Sequence, residues 1–128
     1  MQTIASQFAL QGQVMFLPTD DLQKIIDFYE GIFGLELVRD QKLCRIYKTG
    51  SASYLGFCER GYTIPTDYRV VITLLMDDVD GVYKLLKAQN VTTESSPSLS
   101  ERFNVYQFFV RDPNGYLLEV QRFIEPLV

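Results

Sequence analysis

Along residues 14–38, VMFLPTDDLQKIIDFYEGIFGLELV, the spacing of apolar positions changes twice. The opening VMFL is a short continuous run that stops at Pro18-Thr19-Asp20-Asp21, which predicts a strand. Leu22, Ile25, Ile26, Phe28, Tyr29 and Ile32 then recur at helical spacing, so a helix with one buried stripe follows. Thr19 or Asp20 is placed to cap that helix and Gly34 to end it, and Leu35 to Val38 resume as a strand.

The succession returns in residues 71–94, VITLLMDDVDGVYKLLKAQNVTTE. A strand runs into Asp77-Asp78, and a helix follows with Val79, Val82, Tyr83, Leu85 and Leu86 on its apolar side, ended by Gln89-Asn90. Setting Asp21 against Asp78 superposes strand, acidic pair and helix start without a gap. Two copies make a duplication, whereas a solenoid needs three or more. Three extended runs follow each helix: LELVRD, LCRIYKTG and ASYLGFCE in the first half; VTTES, NVYQFFVRD and YLLEVQRF in the second. Gly50-Ser51 and Asn114-Gly115 mark the turns before the last strand of each half.

The expected fold is α+β: two βαβββ modules, the first about 10–60 and the second about 69–123, with a hinge at 60–68. The segment 95–104, SSPSLSERFN, reads as a polar loop. A helix with one apolar stripe buries it against its sheet, which leaves the other sheet face free. Two such sheets side by side curl into a cup with helices outside, and the inner face is where a ligand would sit.

Composition narrows the picture. With 128 residues, 47% hydrophobic and 22% charged, the chain is sized for one soluble globular domain over 1–128. No apolar run approaches the ~20 residues of a membrane span. MQTIASQFALQGQ lacks a basic region followed by an apolar one, so no signal peptide and a cytoplasmic location are expected. Sixteen acids against twelve bases, net −4, disfavour a nucleic-acid partner. Cys44 and Cys58 could in principle pair, but in a cytosolic chain free thiols are the expectation. With no histidine, neither a Cys/His zinc site nor a Cys-His nucleophile can be assembled.

Candidate chemistry centres on DPNGYLLEV, residues 112–120. Alternation puts Glu119 with Leu117 and Gln121 toward the cup, and Leu118 and Val120 toward the helices. Glu119 is then either held by a neighbour such as Arg69, Arg45 or a tyrosine hydroxyl, or it meets a ligand as handle or catalytic acid/base. The same alternation lines the cup with Val14, Phe16, Tyr54, Gly56, Cys58, Val71, Thr73 and Leu75. Tyr106 and Phe108 join them or, one register along, Gln107 and Phe109. Gly56, lacking a side chain, would enlarge the room. Arg102, in the 95–104 loop, is either a ligand contact or a solvated side chain, and Arg111 is expected to pin the turn after it.

DDLQKIIDFYEGIFGLELV, DDVDGVYKLLKAQNV and FFVRDPNGYLLEV, in that order on a duplicated pattern, resemble the vicinal oxygen chelate superfamily of glyoxalase I, bleomycin-resistance proteins and extradiol dioxygenases. The resemblance covers about residues 10–123. It implies a homodimer and, in metal-dependent members, one divalent ion held by ligands on the first and last strands of each half. The matching positions here are Val14, about Gly56, Val71 and Glu119; an offset of one at the first would bring in Gln13. Only Glu119 is a strong donor, so the resemblance points to a member with no metal and no other cofactor. Two functions follow as expectations. One is sequestration of a small, largely apolar molecule by Phe16, Tyr54, Gly56, Thr73, Tyr106, Phe108 and Glu119. The alternative is an enzyme, a lyase, isomerase or dioxygenase relative, that uses Glu119 as acid/base or as the remaining metal ligand.

Overall fold

A computed structural model of the protein describes residues 3–62 and 70–125. Most of the expected hinge, and Arg69, lie outside the described residues. A short helix, α1 (Ile4–Gln7), precedes strand β1 (Gln13–Thr19) and helix α2 (Leu22–Ile25). Strands β2 (Glu36–Asp40), β3 (Cys44–Lys48) and β4 (Ser53–Glu59) complete the first half. The second half runs β5 (Val71–Leu75), α3 (Val79–Ala88), β6 (Ser98–Ser100), β7 (Val105–Arg111) and β8 (Leu117–Phe123).

The duplication is exact in topology. The sheets have strand orders β1-β4-β3-β2 and β5-β8-β7-β6, and each pairs its first and last strands in parallel. Both helices start on the second aspartate of the acidic pair. Asp21 accepts the Gln23 N–H at 2.9 Å and Asp78 accepts the Gly81 N–H at 2.9 Å, the usual use of a short acidic side chain at a helix start. The first cap is therefore Asp21 rather than Thr19 or Asp20. Thr19 is engaged elsewhere. Beyond Ile25 the helix widens into a π-helical turn, Ile26–Glu30. Gly34, at φ +67, then reverses the chain so that the Leu35 N–H reaches the Tyr29 carbonyl. That backbone turn suits glycine because it has no Cβ.

The cores lie between each sheet and its helix. Ile25, Tyr29, Tyr47 and Phe57 fill the first, and Val79, Leu86, Phe108, Val110, Leu118 and Val120 the second. Tyr29 stacks on Phe57 at 4.8 Å between centroids. Each such buried ring contributes about 1.5–3 kcal/mol over an exposed one.

The two halves are joined through the DPNG turn. The Tyr29 hydroxyl donates to Asp112 at 2.8 Å, and the Thr19 hydroxyl donates to Asn114 Oδ1 at 2.9 Å. The Tyr116 hydroxyl donates to the Pro18 carbonyl, and its ring leans on Phe57. Asp112 is buried and also accepts the N–H groups of Asn114 and Tyr116, both at 2.9 Å. Burial raises its carboxyl above its ordinary value; these hydrogen bonds oppose the shift without cancelling it. Arg111 pins this turn as expected, donating to the Gly115 carbonyl at 3.1 Å and to Glu94 at 3.0 Å.

Two expectations are corrected. Cys44 and Cys58 are bonded as a disulfide rather than free. They face each other across the β3–β4 ladder with Cα atoms 4.0 Å apart, so antiparallel pairing alone brings the sulfurs together. The first strand after α3 is not VTTES: β6 forms at Ser98–Ser100, inside the segment read as a loop, and Thr93 makes one isolated bridge to Val110. The polar composition of SSPSLS hid a short edge strand, where polar residues are tolerated on both faces.

Candidate functional site

The face of each sheet turned away from its helix carries the candidate residues. On the first sheet Phe16 and Gly56 are partners across the parallel β1–β4 pair. On the second, Thr73 and Glu119 are partners across β5–β8. Offset by the same 57 positions that relate Asp21 to Asp78, Phe16 corresponds to Thr73, so the two pairs occupy equivalent places in the duplication.

Their chemistry has diverged. The Phe16 ring lies directly over Gly56: a Cβ built there would fall 2.6 Å from two ring carbons. Gly56 therefore seats a neighbour's ring and does not open space for a ligand, which corrects the sequence reading. In the other half the Thr73 hydroxyl donates to Glu119 Oε1 at 2.7 Å, and the Gln121 amide donates to Oε2 at 2.9 Å. Glu119 is only 9% exposed. Arg45 is not its partner, because it lies on the helix side of the first sheet, bonded to Glu30 and Asp40. Arg69 lies outside the described residues.

Strand β7 is one register away from the first assignment. Phe108 is fully buried and meets Tyr83 of α3 edge to face, and the Tyr106 hydroxyl donates to Asp80 of α3 at 2.6 Å. Both belong to the helix side. Gln107 and Phe109 take the open face, paired with Gln121 and Glu119. Both parities of VYQFFV hold an aromatic, so alternation alone could not fix the register. Arg102 lies over the Phe103 ring, 5.2 Å from its centroid.

A cavity of about 390 Å³ opens on the free face of the first sheet. Val14, Val38, Ile46 and Tyr54 give it apolar walls, and Glu36, Arg39, Gln41 and Lys48 give it polar ones. A second cleft, about 230 Å³, lies between the halves, where Tyr54 and Thr73 share a wall with Met15 and Val71. Of the expected contacts, then, Phe16, Tyr54, Gly56, Thr73 and Glu119 lie on the open faces, and of the residues expected to line the cup Val14 and Tyr54 line the larger cavity. Glu36, Val38, Arg39, Ile46 and Lys48 escaped the sequence reading. Glu36 and Val38 follow regular alternation, and a β-bulge between Leu37 and Arg39 brings Arg39 to the same face.

A divalent ion of the kind the resemblance implies would need three or four donors converging on one point. Val14, Gly56 and Val71 offer no side-chain donor, Phe16 fills the space above Gly56, and both oxygens of Glu119 already accept hydrogen bonds. Gln13 has the opposite parity to Val14 and lines the cleft between the halves. Among the described residues no three acidic or thiol side chains group to hold a metal. These residues do not fit the ion.

A family model described as the Glyoxalase/Bleomycin resistance protein/Dioxygenase superfamily matches residues 10–120. The chain belongs to this superfamily. Solved structures share the fold of this superfamily member at low identity. A glyoxalase/bleomycin resistance protein/dioxygenase from Nocardioides is 17% identical, with 95% of this chain and 91% of that one covered and a TM-score of 0.71. Lactoylglutathione lyase from Agrobacterium tumefaciens is 22% identical over 86% and 91%, with a TM-score of 0.69. A superfamily protein from Alicyclobacillus acidocaldarius is 21% identical over 89% and 92%, also at 0.69. Among curated proteins, none matches the chain. Among the described residues, no helix is long and apolar enough to cross a membrane.

Proposed function

We propose that this superfamily member binds a small, largely apolar molecule on the open face of its first sheet, without a metal, to sequester it. The observation that carries the reading is the cavity of about 390 Å³ floored by Val14, Val38, Ile46 and Tyr54. That volume falls in the ordinary range for small-ligand sites, about 300–1,000 Å³. The metal-independent part rests on the donor set, a single carboxylate already held by Thr73 and Gln121.

A homodimer belongs to the same proposal. Strands β1 and β5 are sheet edges, and Phe16 and Leu75 on them are 51% and 57% exposed. Apolar side chains on open strand edges are what a second copy would cover. A cytoplasmic location would place the Cys44–Cys58 bond in a reducing compartment, where the dithiol form is favoured.

One observation favours an enzymatic second reading. The Thr73 hydroxyl lines the cleft between the halves and donates to Glu119, so a substrate group in that cleft would meet a hydroxyl backed by a carboxylate.

The test is metal analysis of tag-free protein by mass spectrometry, combined with NMR titration of an apolar probe. The sequestration reading expects no stoichiometric metal and shifts at Val14, Ile46 and Tyr54. Stoichiometric metal, or shifts confined to Thr73 and Glu119, would overturn it.

A further inference from the structure

Arg39 reaches the cavity because of a defect in its strand. In β2, Leu37 pairs with the buried Tyr47 on the helix side. A regular strand would place Val38 and Asp40 on the open face and return Arg39 to the helices. The bulge shifts the register so that Arg39 pairs with Ile46, which itself pairs with Gly56 on the open face. Val38 and Arg39 consequently line the same cavity. Asp40 swings to the helix side and meets Arg45 at 3.3 Å. Bulges re-aim side chains in this way, often beside binding sites.

The charges around the cavity do not balance. Glu36, Arg39 and Lys48 are the charged residues of its lining, two cations against one acid, with Glu36 and Lys48 partners across the β2–β3 ladder. Asp40 and Glu30, the acids that could neutralise Arg39 from nearby, are instead bonded to Arg45 behind the sheet. Among the described residues Arg39 makes no ion pair or hydrogen bond through its side chain. A protein of net charge −4 thus gives this cavity one excess positive charge, with the Arg39 guanidinium beside its apolar walls.

We infer that the ligand of this cavity is an organic anion, a small apolar body carrying a carboxylate, and that Arg39 receives the carboxylate. A guanidinium offers paired N–H donors that match a carboxylate in a plane. The inference rests on the proposed reading of the first sheet's open face as the binding site, and it adds the ligand's charge.

The test uses three probes of equal length, octanoate, octanol and octylamine, titrated by NMR into the wild-type protein and into Arg39→Gln. Lys84→Gln, an exposed charge change on α3, is the control. Octanoate is expected to bind tightest and to shift Ile46 and Tyr54. Arg39→Gln is expected to lose about tenfold for octanoate, the worth of one charge-assisted hydrogen bond at an open site, and nothing for octanol. Lys84→Gln leaves all three unchanged. Preference for octylamine or octanol, or an Arg39→Gln response no different from Lys84→Gln, overturns the anion assignment while shifts at Ile46 and Tyr54 keep the site. Failure of all three probes to shift those residues overturns the site as well.

Discussion

Thr73 and Glu119 stand opposite each other on parallel strands, and the hydroxyl of one donates to the carboxylate of the other at 2.7 Å. With Gln121 donating from the far side, Glu119 is a pure acceptor. Glu119→Gln would turn an NH₂ toward one of these donors. It is expected to cost about 1 kcal/mol, seen as a lower urea midpoint, because the NH₂ can turn toward Thr73, whose exposed hydroxyl accepts it, and only charge-assisted hydrogen bonding is lost. A sequestering protein shows that stability loss and keeps its binding within a few-fold. If Glu119 is an acid or base in turnover, the same change removes about two to four orders of magnitude in rate.

The Phe16–Gly56 contact makes a coupled prediction. Gly56→Ala forces the half-exposed ring aside, since its new Cβ would lie 2.6 Å from ring carbons. The expected loss is about 1 kcal/mol, at the low end for overpacking because the ring can swing outward. In a Phe16→Ala background that cost should disappear. A double-mutant cycle read by thermal melting measures the coupling, and additive effects would mean the ring does not rest on Gly56.

Asp112 sets a pH signature. Burial raises its folded carboxyl above the ordinary value against the pull of its hydrogen bonds, so the folded chain holds that proton more tightly than the unfolded one. Its contribution is full below the ordinary carboxylate range and is lost as pH rises through the raised folded value. The stability of Asp112→Asn relative to wild type should therefore increase with pH across that window and then level off. Urea unfolding at a series of pH values measures the difference. A constant offset would show that the carboxyl is not shifted. Tyr29→Phe removes one of the bonds holding the shift down, and should move the window upward.

The disulfide closes a loop across a sequence separation of 14. Loop-closure entropy puts its contribution near 3 kcal/mol, reduced to the extent that the unfolded β3–β4 hairpin is already compact. Reductant should lower the melting temperature of the wild type to that of the Cys44→Ser/Cys58→Ser double variant and leave the variant itself unmoved.

Much of the architecture was legible in the residues. The two acidic pairs, the helical stripes and the DPNG turn carried the duplication, and Asp21 and Asp78 cap their helices at equivalent places. What could not be read depended on a partner strand. The parity of β7 is ambiguous because apolar residues occupy both faces, and β2 changes face midway through a bulge that no local pattern announces. The disulfide depended on the β3–β4 register, which brings together two cysteines that look unrelated in sequence. For the candidate site, alternation gave the facing of Phe16, Tyr54, Gly56, Thr73 and Glu119 and missed that of Tyr106 and Phe108. The cavity-lining residues of β2 and β3 were not found, and of these Arg39 faces the cavity only because of that bulge.

A doubled scaffold has two copies of every location, and here the matched locations hold unlike contents: a ring on a glycine in one half, an acid under a hydroxyl in the other. Because each pair is closed within its own sheet, a substitution in one leaves the other's geometry in place. The first sheet's open face can change shape while the Thr73–Glu119 pair stays held in the second, so the two halves of one short chain can diverge separately.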